Sequence, residues 1–533
     1  MMSTHSRISS LTSAVPPRSR LYQGFFGRLF PDLPAWHPPK DKPNTAQAPD
    51  RAQDQNPDTI QGPDEFFKNS AVKMIEPDGE DFDSDIPAGY TYFGQFIDHD
   101  ITFDPASSLV RQNDPNMLHN FRTPRLDLDN VYLNGPEASP HLYERNAKGQ
   151  PIGRFLIGAG ANENEPDLPR NQIGTALIGD PRNDENVIVS QLQLAFLKFH
   201  NRIFDETRKK LDDQAAYVET RRIVTWTYQY VVWHDFVKRI INDTVWSSVL
   251  KLIKVAGIKR WALNTQFYDW RNTPFMPIEF SVAAYRFGHS LVRDRYEVNV
   301  SNVERDENGN VVSDENGRPK FLEIPVFDLN NPKNDLRGGQ KLKERHTIQW
   351  DWFLKLPTSR DEFGFPQKTR KIDPFLSQTL AKIPAGPGGS NALAFLNLKR
   401  GWRMGLPSGP DVAKHLGLEP IKINSPHEEI LWVYILKEAA DLPGDNKGEM
   451  LGRVGSTIVG EVFAGLLAGD PNSFFNIDPL WTPSKEPLLA DKGPVDGDEG
   501  WQLGDIIRLA KMPENGRQVT SLITTGQLER PRP

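Results

Sequence analysis

Gly94-Gln95-Phe96-Ile97-Asp98-His99-Asp100-Ile101-Thr102-Phe103 is the stretch that decides the fold, because its apolar and polar residues alternate as in a buried helix. With about 3.6 residues per turn, a helix sets Gln95, Asp98 and His99 on one face and turns Asp100 about 100° away. A charged pair is costly to bury without partners. The stretch alone therefore predicts either a capped helix with a structural histidine or one wall of a chemical site.

Composition limits the classes of protein that this chain can represent. Its 533 residues are 38% hydrophobic and 25% charged, which is ordinary for a soluble globular protein with a large core. The net charge of −7 disfavours a nucleic-acid partner. The absence of cysteine excludes disulfides, thiolate haem ligation, cysteine-held iron–sulfur clusters and cysteine nucleophiles. We find no signal peptide and no apolar run of about 18 residues, so we expect a soluble protein, cytoplasmic or exported by a non-classical route.

The organisation of the chain predicts one large domain behind a proline-rich leader. Residues 1–60 contain few periodic apolar positions and are expected to be extended and partly disordered, with the aromatic patch 22–30 docked on the body. Strand signals in 61–533 are short and scattered, so we expect a mainly α, single helical domain with few short strands and long loops. Helices are predicted over 186–209, 215–242, 429–441, 454–467 and 501–511.

A second stretch, Arg122–Tyr132, carries hard oxygen ligands. Pro124 forbids a helix interior and favours an extended segment, which would point Thr123, Arg125, Asp127 and Asp129 to one side. Carboxylate, hydroxyl and carbonyl oxygens suit Ca²⁺. The spacing does not match an EF-hand, and such a stretch is also typical of a solvated turn.

Two more residue pairs are spaced to share a site. Arg182 and Glu185 lie three residues apart just before the helix predicted over 186–209. Arg286 and His289 are also three apart, on one face of a helix predicted over 280–292, where small residues allow a flat object to approach closely. Taken alone, each pair is also typical of structural residues in a core.

Seven motifs follow one another along most of the chain, from about residue 82 to about residue 522. They are GQFIDHDITF (94–103), RTPRLDLDNVY (122–132), GDPRNDE (179–185), HNR (200–202), AAYRFGHSLV (283–292), LNLKRG (396–401) and GLPSG (405–409). In this order they resemble the animal-type haem peroxidases of the peroxidase–cyclooxygenase superfamily, most closely its bacterial members. The resemblance implies that residues 61–533 form a haem peroxidase domain.

The resemblance also implies a role for each matching residue. The distal base, its cationic partner and a pocket amide would be His99, Arg182 and Gln95. The iron ligand, the partner of a haem propionate and the acceptor of the imidazole N–H would be His289, Arg286 and Asn397. The carboxylates that family members join to haem methyl groups as esters would be Asp98 and Glu185. The calcium ligands would be Asp100, Thr123, Arg125 through its carbonyl, Asp127 and Asp129.

Three positions depart from relatives within the superfamily. Fatty-acid oxygenases carry a radical-forming tyrosine three residues before the proximal histidine, where this chain has Arg286. On a helix the neighbouring Tyr285 points about 100° away, which favours peroxidase over oxygenase activity. Asn186 replaces a methionine that some mammalian members bond to the haem through sulfur. Trp402-Arg403-Met404 stands where many members carry Arg-Asp-His.

These observations predict a haem b peroxidase that also binds Ca²⁺. It would reduce H₂O₂ to water and oxidise small donors such as phenols, iodide, bromide or thiocyanate, without a nucleic-acid partner. Two alternatives stay open at the level of sequence. One is a fatty-acid dioxygenase of the same superfamily, and the other is a non-catalytic haem- and calcium-binding protein of the adhesion type.

Overall fold

The computed structural model describes residues 24–39, 62–77, 82–104, 112–115, 118–162, 165–269, 275–315, 317–384, 392–494 and 500–514. Most of the predicted extended leader, residues 1–23 and 40–60, lies outside the described residues. Among the described helices, none combines the length and hydrophobicity that a membrane span needs.

The described part of the chain is mainly α, as predicted. Its α-helices are α1 (Gly62–Val72), α2 (Gly89–Ile101), α3 (Asp129–Tyr132), α4 (Gly135–Ala138), α5 (Val187–Thr207), α6 (Asp213–Val231), α7 (Lys238–Ile240), α8 (Asp243–Val249), α9 (Leu393–Arg403), α10 (Gly409–His415), α11 (Leu431–Ala440), α12 (Arg453–Gly469), α13 (Phe474–Ile477) and α14 (Leu503–Leu509). Helices α5, α11, α12 and α14 agree with the predicted ranges to within a few residues. The predicted helix over 215–242 is α6 continued by a π-helical turn, Val232–Val237, and by α7.

The strands are short and lie in small separate sheets, again as predicted. They are β1 (Gly24–Gly27), β2 (Asp83–Pro87), β3 (His119–Asn120), β4 (Tyr143–Arg145), β5 (Pro151–Phe155), β6 (Gly158–Ala159), β7 (Pro166–Asp167), β8 (Leu250–Val255), β9 (Ile258–Leu263), β10 (Met276–Pro277), β11 (Arg295–Tyr296), β12 (Ile324–Pro325) and β13 (Lys368–Arg370). One sheet has three strands in the order β10-β1-β3, and the others have two.

Aromatic packing holds α2 against α5 and α6 in the centre of the core. Phe96 of α2 stacks on Phe196 of α5 with ring centroids 4.7 Å apart, and Tyr228 of α6 meets both rings edge-on. All three side chains are fully buried. Because interiors are close-packed and resist small displacements, this contact fixes where α2 presents its polar face.

The aromatic patch at the start of the described chain docks on the body, as predicted. Phe26 and Phe30 are buried, and β1 pairs in parallel with β10 through Phe26 and Met276. The Glu279 carboxylate accepts hydrogen bonds from the backbone N–H groups of Leu29 and Phe30. The N-terminal segment is therefore fastened directly beside the turn that leads to His289.

Two local predictions are wrong. The segment predicted as a helix over 280–292 is a π-helical turn, Glu279–Ala283, followed by a 3₁₀ helix, Ala284–His289. The stretch from Arg122 is not extended either: it is a bent loop in which Leu128 adopts a left-handed conformation with φ of 57° just before α3. Local sequence preferences missed both because contacts with distant segments hold these conformations.

Candidate active site

The first group of predicted site residues meets where α2 lies beside the turn that begins α5. Asp180 caps the 3₁₀ helix Pro181–Asp184 by accepting a hydrogen bond from the Arg182 N–H. Two residues after this 3₁₀ helix ends, Asn186 caps α5: its side chain accepts hydrogen bonds from two backbone N–H groups. Such caps contribute about 1 kcal/mol each. They hold the intervening residues, including Glu185, in one defined turn opposite the polar face of α2.

His99 is buried and held at one ring nitrogen. Its Nδ1 lies 2.7 Å from the Asn183 side-chain oxygen, and its Nε2 lies 3.6 Å from a Glu185 oxygen. Burial and then the nearby charge of Arg182 lower the pKa of His99 to about 4, against the opposing effect of Asp98. With the Asn183 oxygen facing it, Nδ1 carries the proton of the neutral ring. The free lone pair is therefore on Nε2.

Arg182 is tethered beside His99 by a buried carboxylate. Its guanidinium donates to Asp180 and to the backbone oxygens of His99 and Thr102, and it lies 4.5 Å from the ring centroid of Phe103. Burial would raise the pKa of Asp180, but hydrogen bonds and charge from Arg182 and then Arg122 outweigh it and lower that pKa to about 2. The carboxylate is thus ionised at neutral pH and fixes the guanidinium.

The three remaining polar side chains of this group also converge. Gln95 donates to Glu185 and accepts from Asn186 at 3.1 Å. Asp98 accepts from Thr102 and lies 3.9 Å from Arg182. The Glu185 side chain is 48% exposed by surface area, yet it is enclosed enough that burial raises its pKa to about 7 despite the charge of Arg182. The structure therefore brings together Gln95, Asp98, His99, Arg182 and Glu185, and their roles stay predictions.

His289 lies at the end of the 3₁₀ helix Ala284–His289, and this geometry determines how its side chain is oriented relative to that of Arg286. A 3₁₀ helix has about 3.0 residues per turn, so residues three apart are eclipsed and point the same way. Both side chains reach Asn397 of α9: His289 Nδ1 is 2.8 Å from the amide nitrogen, and Arg286 donates to the amide oxygen. The predicted His289–Asn397 contact is present. However, because Arg286 occupies the oxygen, the amide turns its nitrogen to the imidazole instead of accepting the predicted N–H.

Positive charge accumulates around Arg286. Burial and then the nearby Arg400 lower the pKa of Arg286 to about 10, and burial also lowers the pKa of His289, to about 3. Within the described residues, Arg286 bonds to Asn397 and to the Ser281 backbone oxygen but forms no ion pair with a carboxylate. A half-buried guanidinium that forms no ion pair with a carboxylate among the described residues suits an anionic ligand.

A separate cluster of carboxylates lies on the side of α2 that faces away from His99. Oxygens of Asp100, Asp127 and Asp129 all lie within 4.8 Å of one another. Thr123 joins them by donating its hydroxyl to Asp127 at 2.9 Å. One oxygen each of Asp100 and Asp129 is buried without a hydrogen bond. Burial and the neighbouring carboxylates raise the pKa of Asp100, and burial raises that of Asp129 to about 8 despite the charge of Arg122.

A cluster of three acids in which two buried oxygens lack a hydrogen bond fits a divalent cation with oxygen ligands. Arg125, the remaining predicted ligand, donates its backbone N–H to the Thr123 oxygen at 2.8 Å, and its side chain lies 3.9 Å from Asp470. Its carbonyl therefore stays a prediction. The bent loop, rather than an extended strand, brings Thr123, Asp127 and Asp129 to Asp100.

Three residues with clear roles in this geometry were missed at the level of sequence. Asn183 contacts the His99 ring, Asp180 tethers Arg182, and Arg400 adds to the charge near Arg286. Each lies inside a motif already singled out, GDPRNDE or LNLKRG, so the motif was the available signal. Neither spacing nor residue type could show which members face the site.

Comparisons with known proteins bear on the family of this chain. Residues 109–426, more than half of the chain, match the family model for animal haem peroxidase. The chain is 26% identical over 375 residues to chorion peroxidase of Drosophila melanogaster. The aligned segment covers 65% of this chain and 41% of that protein. It is 26% identical over 270 residues to a peroxidase-like protein of Margaritifera margaritifera, covering 40% and 33%. The chain thus spans less than half the length of these curated relatives.

Solved structures share the fold at low identity. Peroxidase A from Dictyostelium discoideum superposes with a TM-score of 0.53 at 16% identity, covering 84% of this chain and 89% of that one. A fatty acid alpha-dioxygenase from Arabidopsis thaliana gives a TM-score of 0.54 at 15% identity, covering 87% and 78%. These two likenesses bear on the fold alone. The match over residues 109–426 leads to one conclusion: the chain belongs to the animal haem peroxidase family.

Proposed function

We propose that this chain is a haem b peroxidase that reduces H₂O₂ to water and oxidises small donors such as phenols, iodide, bromide or thiocyanate. The observation that carries the proposal is the pairing of a neutral His99, open at Nε2, with the tethered Arg182 on one side of the site. A second neutral imidazole, His289, is partnered at Nδ1 by Asn397 and supports the same proposal. No single residue of this set is missing, which disfavours a non-catalytic adhesion role.

The residues near His289 fit the cofactor that the family name implies. Neutral imidazole nitrogen is an iron ligand, and haem carries two carboxylates that suit the half-buried guanidinium of Arg286, which pairs with no carboxylate among the described residues. A carboxylate paired with Arg286 would release the Asn397 oxygen, and a turn of that amide would let it accept the His289 N–H. Such a hydrogen bond orients an iron-bound imidazole and increases its basicity.

The chemistry expected of the distal residues follows from their protonation states. A bound haem supplies the electrons that reduce peroxide. His99 Nε2 would take the proton from one peroxide oxygen and return it to the other, and Arg182 would stabilise the negative charge that develops as the O–O bond breaks. The Asn183 oxygen would keep the proton of the resting imidazole on Nδ1, so that Nε2 is ready to accept.

We further propose that Asp98 and Glu185 form ester links to haem and that Asp100, Thr123, Arg125, Asp127 and Asp129 bind Ca²⁺. The ester proposal is supported by the position of both carboxylates in the group around His99. It is tested by denaturing peroxide-treated holoprotein in acidified organic solvent. Haem that stays with the chain supports the links, and haem that extracts completely from such samples removes them from the proposal.

A fatty-acid dioxygenase has less support from the residues around His289. The position expected for its radical-forming tyrosine is Arg286. The neighbouring Tyr285 is buried, stacks on Phe280 at 4.8 Å and donates its hydroxyl to the Gly94 backbone oxygen. That hydroxyl would have to leave its partner before it could act on a substrate.

The absorption spectrum tests the proposed function directly. Haem-supplemented protein should show a Soret band that shifts within seconds of adding equimolar H₂O₂ and returns when a phenol or iodide is added. A Soret band that ignores peroxide but accompanies oxygen uptake with a fatty acid would replace the proposal by the dioxygenase. A protein that takes up no haem would overturn the assignment of His289.

The pH dependence of the peroxide reaction should report His99. Because its pKa is lowered to about 4, the imidazole is the neutral base throughout the range from pH 5 to 8. The second-order rate constant should therefore be nearly flat there and should fall as pH decreases through about 4, where the base becomes protonated. Stopped-flow measurement across this range checks the expectation. A rate that rises tenfold per unit up to neutral pH would contradict it.

A further inference from the structure

The basic hairpin, Leu250–Leu263, is a protruding structure that the proposed function does not use. Its strands β8 and β9 pair over six rungs, from Leu250 with Leu263 at the base to Val255 with Ile258 at the tip. The sequence LKLIKVAGIKRWAL holds four cations and no acid, in a chain whose net charge is −7. Residues 251–260 are exposed on both faces of the ribbon.

The hairpin is anchored at its base alone. Trp261 donates its indole N–H to the Pro479 backbone oxygen at 2.8 Å and stacks on Phe475 with ring centroids 6.0 Å apart. Asn264, just beyond β9, donates its backbone N–H to Val249. The outer rungs have no comparable attachment within the described residues. The hairpin therefore projects from a fixed root with its tip available for contact.

The tip consists of Val255-Ala256-Gly257-Ile258 and carries no polar side chain. Val255 and Ile258 are 48% and 57% exposed. Ala256 and Gly257 have φ values of 49° and 85°, which are the two left-handed positions of a tight hairpin turn. Asparagine, aspartate or glycine is favoured at the first of these positions, so alanine is an uncommon residue for this turn. Apolar side chains at the most exposed point indicate contact with an apolar phase.

Three of the four cations, Lys254, Lys259 and Arg260, form a collar immediately behind the tip, and Lys251 lies nearer the base, opposite Ala262. Lys254 lies directly opposite Lys259 in the rung next to the turn, and Arg260 lies opposite Ile253 in the rung after that. Like charges directly opposite one another destabilise a two-stranded ribbon. Among the described residues, none forms an ion pair with Lys251, Lys254, Lys259 or Arg260. The collar is therefore complementary to an anionic partner outside the fold.

We propose that the basic hairpin docks this protein on an anionic lipid surface. The apolar tip would enter the boundary between headgroups and acyl chains, and the collar would contact the headgroups, as amphipathic interfacial segments do. Each cation near an anionic membrane is expected to strengthen binding about fivefold. The attachment is peripheral and reversible, and it is independent of the proposed peroxidase activity.

Co-sedimentation with vesicles tests the proposal on the haem-loaded full chain. The protein should pellet with vesicles of phosphatidylcholine and phosphatidylglycerol in equal parts, should remain in solution with phosphatidylcholine alone, and should be released by high salt. The paired variant Lys254→Gln/Lys259→Gln should bind about 25-fold more weakly. The matched control is Lys148→Gln/Lys210→Gln, which removes two exposed cations elsewhere and should bind like the unaltered chain.

The absence of cysteine allows a second, site-specific readout. An environment-sensitive dye on Ile258→Cys should shift to shorter emission wavelengths when anionic vesicles are added. The same dye on Ile173→Cys, another strongly exposed aliphatic position, should not shift. Equal shifts at both positions, or binding that the collar variant leaves unchanged, would overturn the proposal. So would dissociation of an oligomer by the collar variant without lipid, because the hairpin would then bind a second copy of the chain.

Discussion

Replacement of His99 by alanine is expected to preserve haem binding and to slow the reaction with H₂O₂ by about 10²- to 10⁴-fold, the range for loss of a general base. The imidazole is buried, neutral and open at Nε2, while its Nδ1 is held by Asn183. Among the described residues, no other imidazole lies within hydrogen-bond distance of the polar side chains around His99. Stopped-flow detection of the Soret change after mixing with peroxide measures the effect.

Two further variants sharpen this prediction. His141→Ala removes an exposed histidine and should react at the unaltered rate. Asn183→Leu keeps the imidazole but removes the oxygen that holds its Nδ1 proton, so we expect an intermediate loss and a changed pH profile of the rate. If His99→Ala binds haem and reacts at the unaltered rate, the assignment of the base is wrong. If it binds no haem, the Asn183 variant still tests the proposed role.

Asp129→Asn is expected to have opposite effects on stability with and without calcium. Three carboxylates lie within 4.8 Å in the cluster around Asp100, and one oxygen of Asp129 is buried without a hydrogen bond. Without a cation, removal of one negative charge relieves repulsion and should raise the melting temperature by about 1 °C, which corresponds to about 1 kcal/mol for a chain of 533 residues. With saturating Ca²⁺ the variant should be less stable than the unaltered chain, because it loses a charged ligand.

Thermal unfolding with added Ca²⁺ and with a chelator measures both effects. Asp445→Asn, an exposed carboxylate outside the cluster, should show the same gain on adding Ca²⁺ as the unaltered chain. An equal gain in Asp129→Asn would remove the calcium proposal. Because Asp100 directly follows His99 on α2, chelation should also slow the peroxide reaction of the unaltered protein. Unchanged kinetics after verified metal removal would show that the two sites are uncoupled.

The sequence alone determined the helices whose pattern depends only on neighbouring residues along the chain. Apolar periodicity located α5, α11, α12 and α14, and the period of α2 correctly separated His99 from Asp100. Seven motifs in order were sufficient to indicate the family. These signals are readable because a helix assigns each residue to a face by its position along the chain, whatever surrounds the helix.

Only the tertiary structure decided what each of those faces meets. Asn183 reaches the His99 ring across 84 residues of chain, and Asn397 reaches His289 across 108. The 3₁₀ geometry that eclipses Arg286 and His289 contradicts the helix that local pattern predicted. Likewise, the left-handed conformation of Leu128 bends the loop that Pro124 led us to predict as extended. The physical reason is the same each time: packing and hydrogen bonds between distant segments outweigh local preferences worth less than about 1 kcal/mol per residue.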